Sequence, residues 1–272
     1  MRSSTEVLRV PVWRPDLGGV SRVVEREFRV WRRLWRASVF SSFLSPLLFI
    51  GVVGLGLGSL MPEAERLSLP HGSYFVFVAG GLVAAYAMET AGTASLYMVM
   101  DGMTWSRTYH VMVTAPLSAS DVYAGVVAWI VLRAGLSASV FLAVAWALGG
   151  VPSPTGPLAV PAAMLTAGAY AAPLAAWAAT RTDDSSFGVI LRLIIQPSFL
   201  FSGTLFPTDR LPDLLRWVVY ASPIWHGVEL TRAATTGEAE PAALVLHTVV
   251  LTASCVAAGR LGLVVFHRRL AA

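Results

Sequence analysis

The sequence predicts an all-α integral membrane protein with six transmembrane helices. Two observations carry this. Hydrophobic residues make up 56% of the 272 residues and charged residues only 13%, against about 25% charged in an average soluble domain. Six separate runs are apolar over about 20 residues, the length a helix needs to cross a bilayer. So little polar surface excludes a cytosolic globular enzyme, a disordered chain and a nucleic-acid-binding domain.

Residues 1–38 read as a cytoplasmic N-terminal segment. They are rich in Arg and have no uninterrupted apolar core, so no cleavable signal peptide is expected. Within them, about residues 20–36 form an amphipathic helix. Val20, Val23, Val24, Phe28, Val30, Trp31, Leu34 and Trp35 share one face, and Arg22, Arg26, Arg29, Arg32, Arg33 and Arg36 share the other. Arg opposite Trp is the pattern of a helix lying at the headgroup plane. Such a helix either fixes topology alone or also meets a cytoplasmic partner, with Trp31 as an anchor. Glu27 interrupts the apolar face. A carboxylate there is costly unless paired, and it reads either as a docking residue or as a local departure.

Residues 39–272 then form a six-helix transmembrane domain. The runs are about Val39–Leu60, Tyr74–Met98, Val122–Leu148, Leu158–Thr180, Phe187–Phe206 and Ala242–Phe266. Turn-forming or charged segments separate them. Arg placement sets the expected orientation. With the N-terminus in the cytoplasm, the inner side holds nine Arg before Val39 plus Arg107, Arg181, Arg268 and Arg269. The outer side holds only Arg66, Arg210, Arg216 and Arg232. The expectation is a multi-pass protein of the cell membrane with both termini cytoplasmic.

The first span contains Pro46 and the glycines Gly51, Gly54, Gly56 and Gly58, of which Gly54 and Gly58 make a G-x-x-x-G that lets helices approach closely. Two ionisable groups sit deep in spans: Glu89 about 14 Å from the inner end of span 2, and Arg133 about 17 Å into span 3. An intramembrane charge is expensive and is a functional candidate by default. Matching depth on consecutive spans makes a Glu89–Arg133 ion pair the economical expectation, serving either packing or transport.

Between spans 2 and 3, Trp105, Tyr109 and Met112 fall at helical spacing around Arg107, which predicts a short cytoplasmic amphipathic helix. Ser118-Ala119-Ser120-Asp121 fits a capping box opening span 3. Between spans 5 and 6, Leu211–Tyr220 and Ile224–Ala234 are too short to span and too apolar for a solvated loop. They read as two outer helices dipping into the leaflet, with Trp217, Trp225, His226 and Glu229 on them.

Enzymatic chemistry finds little support. All 20 basic residues are Arg, which excludes a Lys-containing phosphate-binding loop and Schiff-base chemistry. Ser137 and His247 have no spacing that supports nucleophilic catalysis. No His/Cys/Asp/Glu cluster has metal-ligand spacing. No dinucleotide fingerprint is present. The single Cys255 cannot form an intrachain disulfide.

At this point the chain resembles a known family: the permease subunits of type-2 ATP-binding-cassette exporters, most similar to the daunorubicin-exporter and nodulation lipo-oligosaccharide-exporter permeases of actinobacterial type. The segments that carry the resemblance are Arg36-Ala37-Ser38-Val39-Phe40 through Ser45-Pro46-Leu47, Trp105-Ser106-Arg107-Thr108-Tyr109-His110 with Thr114-Ala115-Pro116-Leu117, and Phe201-Ser202-Gly203-Thr204-Leu205-Phe206-Pro207 followed by Pro223-Ile224-Trp225-His226-Gly227. The resemblance implies that the 20–36 helix is an interface helix and the 105–112 helix a coupling helix, docking an ATPase through Trp105, Arg107, Tyr109, Met112, Glu27 and Trp31. It also implies two ATPase subunits that bind ATP and Mg, and a second permease copy, either identical or homologous. No cofactor is expected in this chain and no nucleic-acid partner. An amphipathic substrate would pass between two copies, past Gly51, Gly54, Gly58, Phe199 and Phe201. The rival expectations are a proton-coupled transporter using Glu89 and a membrane scaffold that moves nothing.

Overall fold

The computed structural model of this protein describes residues 14–49 and 73–270, with residues 51, 52, 56 and 69 between them; the side chains of residues 34–49 and of Arg210 lie outside that description. Helix is the only regular secondary structure among the described residues, with turns and loops between. The expected G-x-x-x-G of Gly54 and Gly58 and most of the loop after the first span lie outside the described residues.

The amphipathic stretch and the start of the first expected span form one helix, α1 (Leu17–Phe49). Next come α2 (Tyr74–Met100), the short α3 (Thr108–Thr114), α4 (Ala119–Ala147), α5 (Ala159–Ala178) and α6 (Phe187–Phe201). Two short helices, α7 (Asp213–Ala221) and α8 (Pro223–Thr236), lead into α9 (Pro241–Leu270). Among the described residues, four helices are long and apolar enough to cross a membrane: α2 with its extension to Trp105, α4, α5 with its preceding turn, and α9. The fifth expected span is the shorter apolar α6, distorted by a π-helical segment at Leu191–Ile195.

α2 lies at the centre and packs against α4, α5 and α8, while α9 closes the bundle against α5 and α4. Its unburied positions are few, and they are patterned. Tyr86 rests on Phe141 of α4 at 5.2 Å, and Glu89, Thr90, Thr93 and Tyr97 recur at helical spacing and form one polar stripe facing out of the bundle.

α1 packs along α4 from the same end. Gly125 of α4 lets the two approach, because a Cβ there would overlap Val23 and come 3.2 Å from the Val20 carbonyl. One turn further, Phe28 and Trp31 both meet the Trp129 ring edge-on, at 6.1 and 6.2 Å. The start of α4 is fixed by the capping box expected from Ser118 and Asp121, with both reciprocal bonds present.

Candidate coupling end and intramembrane polar groups

The end of the bundle that carries the Arg-rich part of α1 gathers α1, the α2 terminus and α3. α2 does not stop cleanly at Met100. A π-helical turn, Asp101–Trp105, follows, and the Ser106 hydroxyl donates to the Asp101 carbonyl and to its carboxylate. Arg107 then takes a left-handed conformation with φ of 52°, a costly state for a residue with a Cβ. This kink separates Trp105 from α3 and undoes the single stripe expected from the sequence. Trp105 is 54% exposed while Tyr109 is only 2% exposed.

Tyr109 and Met112 are therefore corrected from surface anchors to core residues. The Tyr109 hydroxyl donates to the Met98 carbonyl at 3.2 Å. Its ring rests on Gly102, where any Cβ would collide with it, and lies 6.2 Å from Phe266 of α9. Burial pushes the Tyr109 hydroxyl far above the ordinary tyrosine range, with the Glu27 carboxylate adding to it. Facing away from the bundle are Trp105, Arg107, His110 and Val111, the last 66% exposed.

Glu27 is buried on the face of α1 that meets the bundle and is ion-paired with Arg26. Burial raises its pKa, and Arg26 opposes that by charge and hydrogen bond. The pair answers how a carboxylate is tolerated on the apolar face. Trp31 is half-buried against Trp129.

The expected Glu89–Arg133 ion pair does not form. Neither side chain has a hydrogen-bond or salt-bridge partner among the described residues. Glu89 belongs to the outward polar stripe of α2. Arg133 instead lines a cavity of about 380 Å³ beside Glu27, Trp31, Asp101 and Trp129. The depths match, but the two groups point to different surroundings.

Among the route candidates, a Cβ at Gly51 would meet nothing within 4 Å among the described residues. Phe199 is half-buried against the core and Phe201 is exposed beside Phe206.

At the far end, Trp217 on α7 is 74% exposed. Trp225 packs against Tyr220 with ring centroids 4.5 Å apart and the planes tilted, and meets His226 and His247 edge-on. His226 of α8 is buried, with its Nδ1 2.7 Å from Nδ1 of His247 in α9, so one ring must donate and the other accept. Glu229 is paired with Arg232 at 2.9 Å. Arg232 is the residue the sequence reasoning passed over. Its guanidinium donates to the Gly203 carbonyl at 2.7 Å and lies 4.0 Å over the Phe77 ring. It ties α8 to α2 and to the Ser202-Gly203-Thr204 turn, where Gly203 has φ of 82°. Tyr74 adds a second tie by donating to the Leu205 carbonyl at 2.9 Å. The signal was present in the sequence as one Arg four residues after a Trp-His-Gly-Val run, but its partners lie 29 and 155 residues away.

Among the described residues, no group of three or more His, Cys, Asp or Glu side chains could hold a metal ion. Comparison with known proteins adds the following. Residues 19–235 match the family model described as ABC-2 type transporter. The chain is 26% identical to Nodulation protein J of Sinorhizobium fredii over 212 residues, covering 78% of this chain and 79% of the relative. It is 28% identical to Nodulation protein J of Rhizobium leguminosarum bv. trifolii over 215 residues, 79% and 80% of the two chains. Nodulation protein J of Neorhizobium galegae is 27% identical over 246 residues, 88% of each chain.

Proposed function

Because this chain belongs to the ABC-2 type transporter family and is a transmembrane permease subunit of an ATP-binding-cassette exporter, we propose that it couples to its ATPase through the exposed face of the turn and helix at Trp105–Val111. ATP is bound by the separate ATPase partner in this family. The reading places the Arg-rich end and both termini in the cytoplasm of a cell-membrane exporter, following the Arg distribution.

The observation that carries the reading is the split around Arg107. Tyr109 and Met112 are buried and hold α3 to α2 and α9, while Trp105, Arg107, His110 and Val111 are left facing outward. A force applied to that outer face is transmitted to the bundle through a side chain that cannot yield. Tyr109 is enclosed by Gly102, Met98 and Phe266, and packed interiors transmit strain rather than absorb it. Glu27 and Trp31 act from behind this surface, not on it.

The substrate in this reading is amphipathic: drug-like, lipid or glycolipid. It moves outward between two permease copies served by two ATPase subunits. Support comes from the outward stripe of Glu89, Thr90, Thr93 and Tyr97 on α2. Polar groups on the open face of an apolar helix are costly against lipid and are satisfied where a second copy or a polar head meets them. Family membership leaves the secondary-transport and scaffold readings without support. The test is the double substitution Trp105→Ala with Val111→Glu in the reconstituted exporter. Membrane insertion should be kept and ATPase-coupled export lost. Normal export by this variant would overturn the docking assignment.

A further inference from the structure

The cavity beside α1 has a composition that the coupling role does not use. Its walls are Trp31 of α1 and Trp129 of α4, with Tyr97 of α2 at the foot of the polar stripe. Two carboxylates line it and both have partners: Glu27 is ion-paired with Arg26, and Asp101 accepts from the Ser106 hydroxyl at 3.1 Å. Arg133 also lines it and has no hydrogen-bond or salt-bridge partner among the described residues. A guanidinium does not give up its proton, so a half-buried Arg keeps its charge and calls for a counter-anion. Glu89, the carboxylate expected to supply one, stands outside the lining.

We propose that this cavity binds the oxyanion head of an amphipathic anion, with Arg133 as its counter-charge and Trp31 and Trp129 flanking the apolar body. This rests on the exporter reading only for the ligand's being cargo; the binding itself does not. A carboxylate or phosphate suits the planar fork of a guanidinium, which can donate two parallel hydrogen bonds to it. Indole rings offer large rigid contact area to a hydrocarbon chain. At about 380 Å³ the cavity admits a head and the first part of a chain, and its remainder can lie along the apolar side of α1, where Phe28 and Val30 are exposed.

The experiment uses the full chain in phosphatidylcholine nanodiscs and indole quenching by 9,10-dibromostearate at pH 8, with its methyl ester as the neutral probe. A Trp31→Phe, Trp129→Phe variant assigns the signal among the nine tryptophans. The acid should quench wild type at a concentration roughly tenfold or more below that needed for Arg133→Gln, the size expected for losing a charged hydrogen-bond partner. Arg133→Lys keeps the charge but not the fork, so its potency should fall between those of wild type and Arg133→Gln. The ester should quench wild type and Arg133→Gln alike, which also shows that the cavity persists in the variant. Equal potency of acid and ester on wild type would overturn the proposal, as would an undiminished response in Arg133→Gln. A parallel arm places dibrominated phosphatidylglycerol in the bilayer. Arg133-dependent quenching by that lipid identifies a resident headgroup, and quenching by the free acid alone identifies a solute that enters for transport; either supports the site. If Arg133-dependent binding persists while the exporter moves neither compound, the cargo reading fails and the site stands.

Discussion

The backbone N–H of Asp16 donates to Asp121 Oδ1 at 2.7 Å, while Asp121 Oδ2 accepts from the backbone N–H of Ser118 at 2.9 Å. One carboxylate thus caps α4 and pins the entry of α1 to it. Replacing Asp121 by Ala removes both bonds while leaving the Ser118 hydroxyl as the N-cap, and a hydrogen bond to a charged group contributes about 1.5–3 kcal/mol. The variant should melt at lower temperature in detergent and should be cleaved faster by trypsin at Arg22. An unchanged digestion rate would show that α1 is held by its apolar face alone.

Glycine at position 102 is required by the ring of Tyr109. Gly102→Ala forces the ring or α3 to move, and overpacking of this kind costs typically about 1–3 kcal/mol. The expected result is normal membrane insertion with ATP hydrolysis no longer tied to export. A smaller ring should rescue it, so Gly102→Ala combined with Tyr109→Leu should recover coupling in part. Failure of the pair to differ from the single change would place the fault elsewhere.

Glu27 gives a pH dependence with a defined sign. Its folded pKa is raised above the ordinary 4.5, first by burial, with Arg26 partly opposing. The folded state therefore binds more protons than the unfolded state, and this group's contribution to stability falls as pH rises from 4.5 through the raised value. Thermal melting of wild type and Glu27→Gln across pH 4–8 checks it. The wild-type curve should lose ground relative to the variant as pH rises through that window. A difference that is constant with pH would refute the assignment.

At the far end, His226 and His247 share one proton between two Nδ1 atoms. His247→Ala leaves the His226 Nδ1 buried without its partner, at a cost of about 1–3 kcal/mol. His226→Ala with His247→Ala should cost less than the sum of the two single changes, as a double-mutant cycle on thermal stability would read. Strict additivity would mean that the two rings do not meet.

What was legible in the sequence was local. The capping box of α4 could be read because Ser118 and Asp121 are three residues apart, but the Asp16 bond to the same carboxylate spans 105 residues. The apolar runs gave α2, α4, α5 and α9 because length and composition alone define a span. The stripe of Trp105, Tyr109 and Met112 assumed one continuous helix, and the left-handed Arg107 reverses which of them face outward. Depth along a helix is additive in sequence, so Glu89 and Arg133 were placed at matching levels. Direction around the helix depends on neighbours, and α2 turns Glu89 outward while Arg133 faces the cavity beside α1. Arg232 was missed for the same reason, since Gly203 and Phe77 become its neighbours only on folding.

The most direct test of the coupling account is a photo-cross-linking measurement on the reconstituted exporter, with benzoyl-phenylalanine placed at Trp105 in one preparation and at Trp217 in another. Both positions are exposed, and they lie at opposite ends of the bundle. The account predicts that the probe at position 105 captures the ATPase subunit and that the probe at position 217 does not. Capture from position 217, with none from 105, would contradict it.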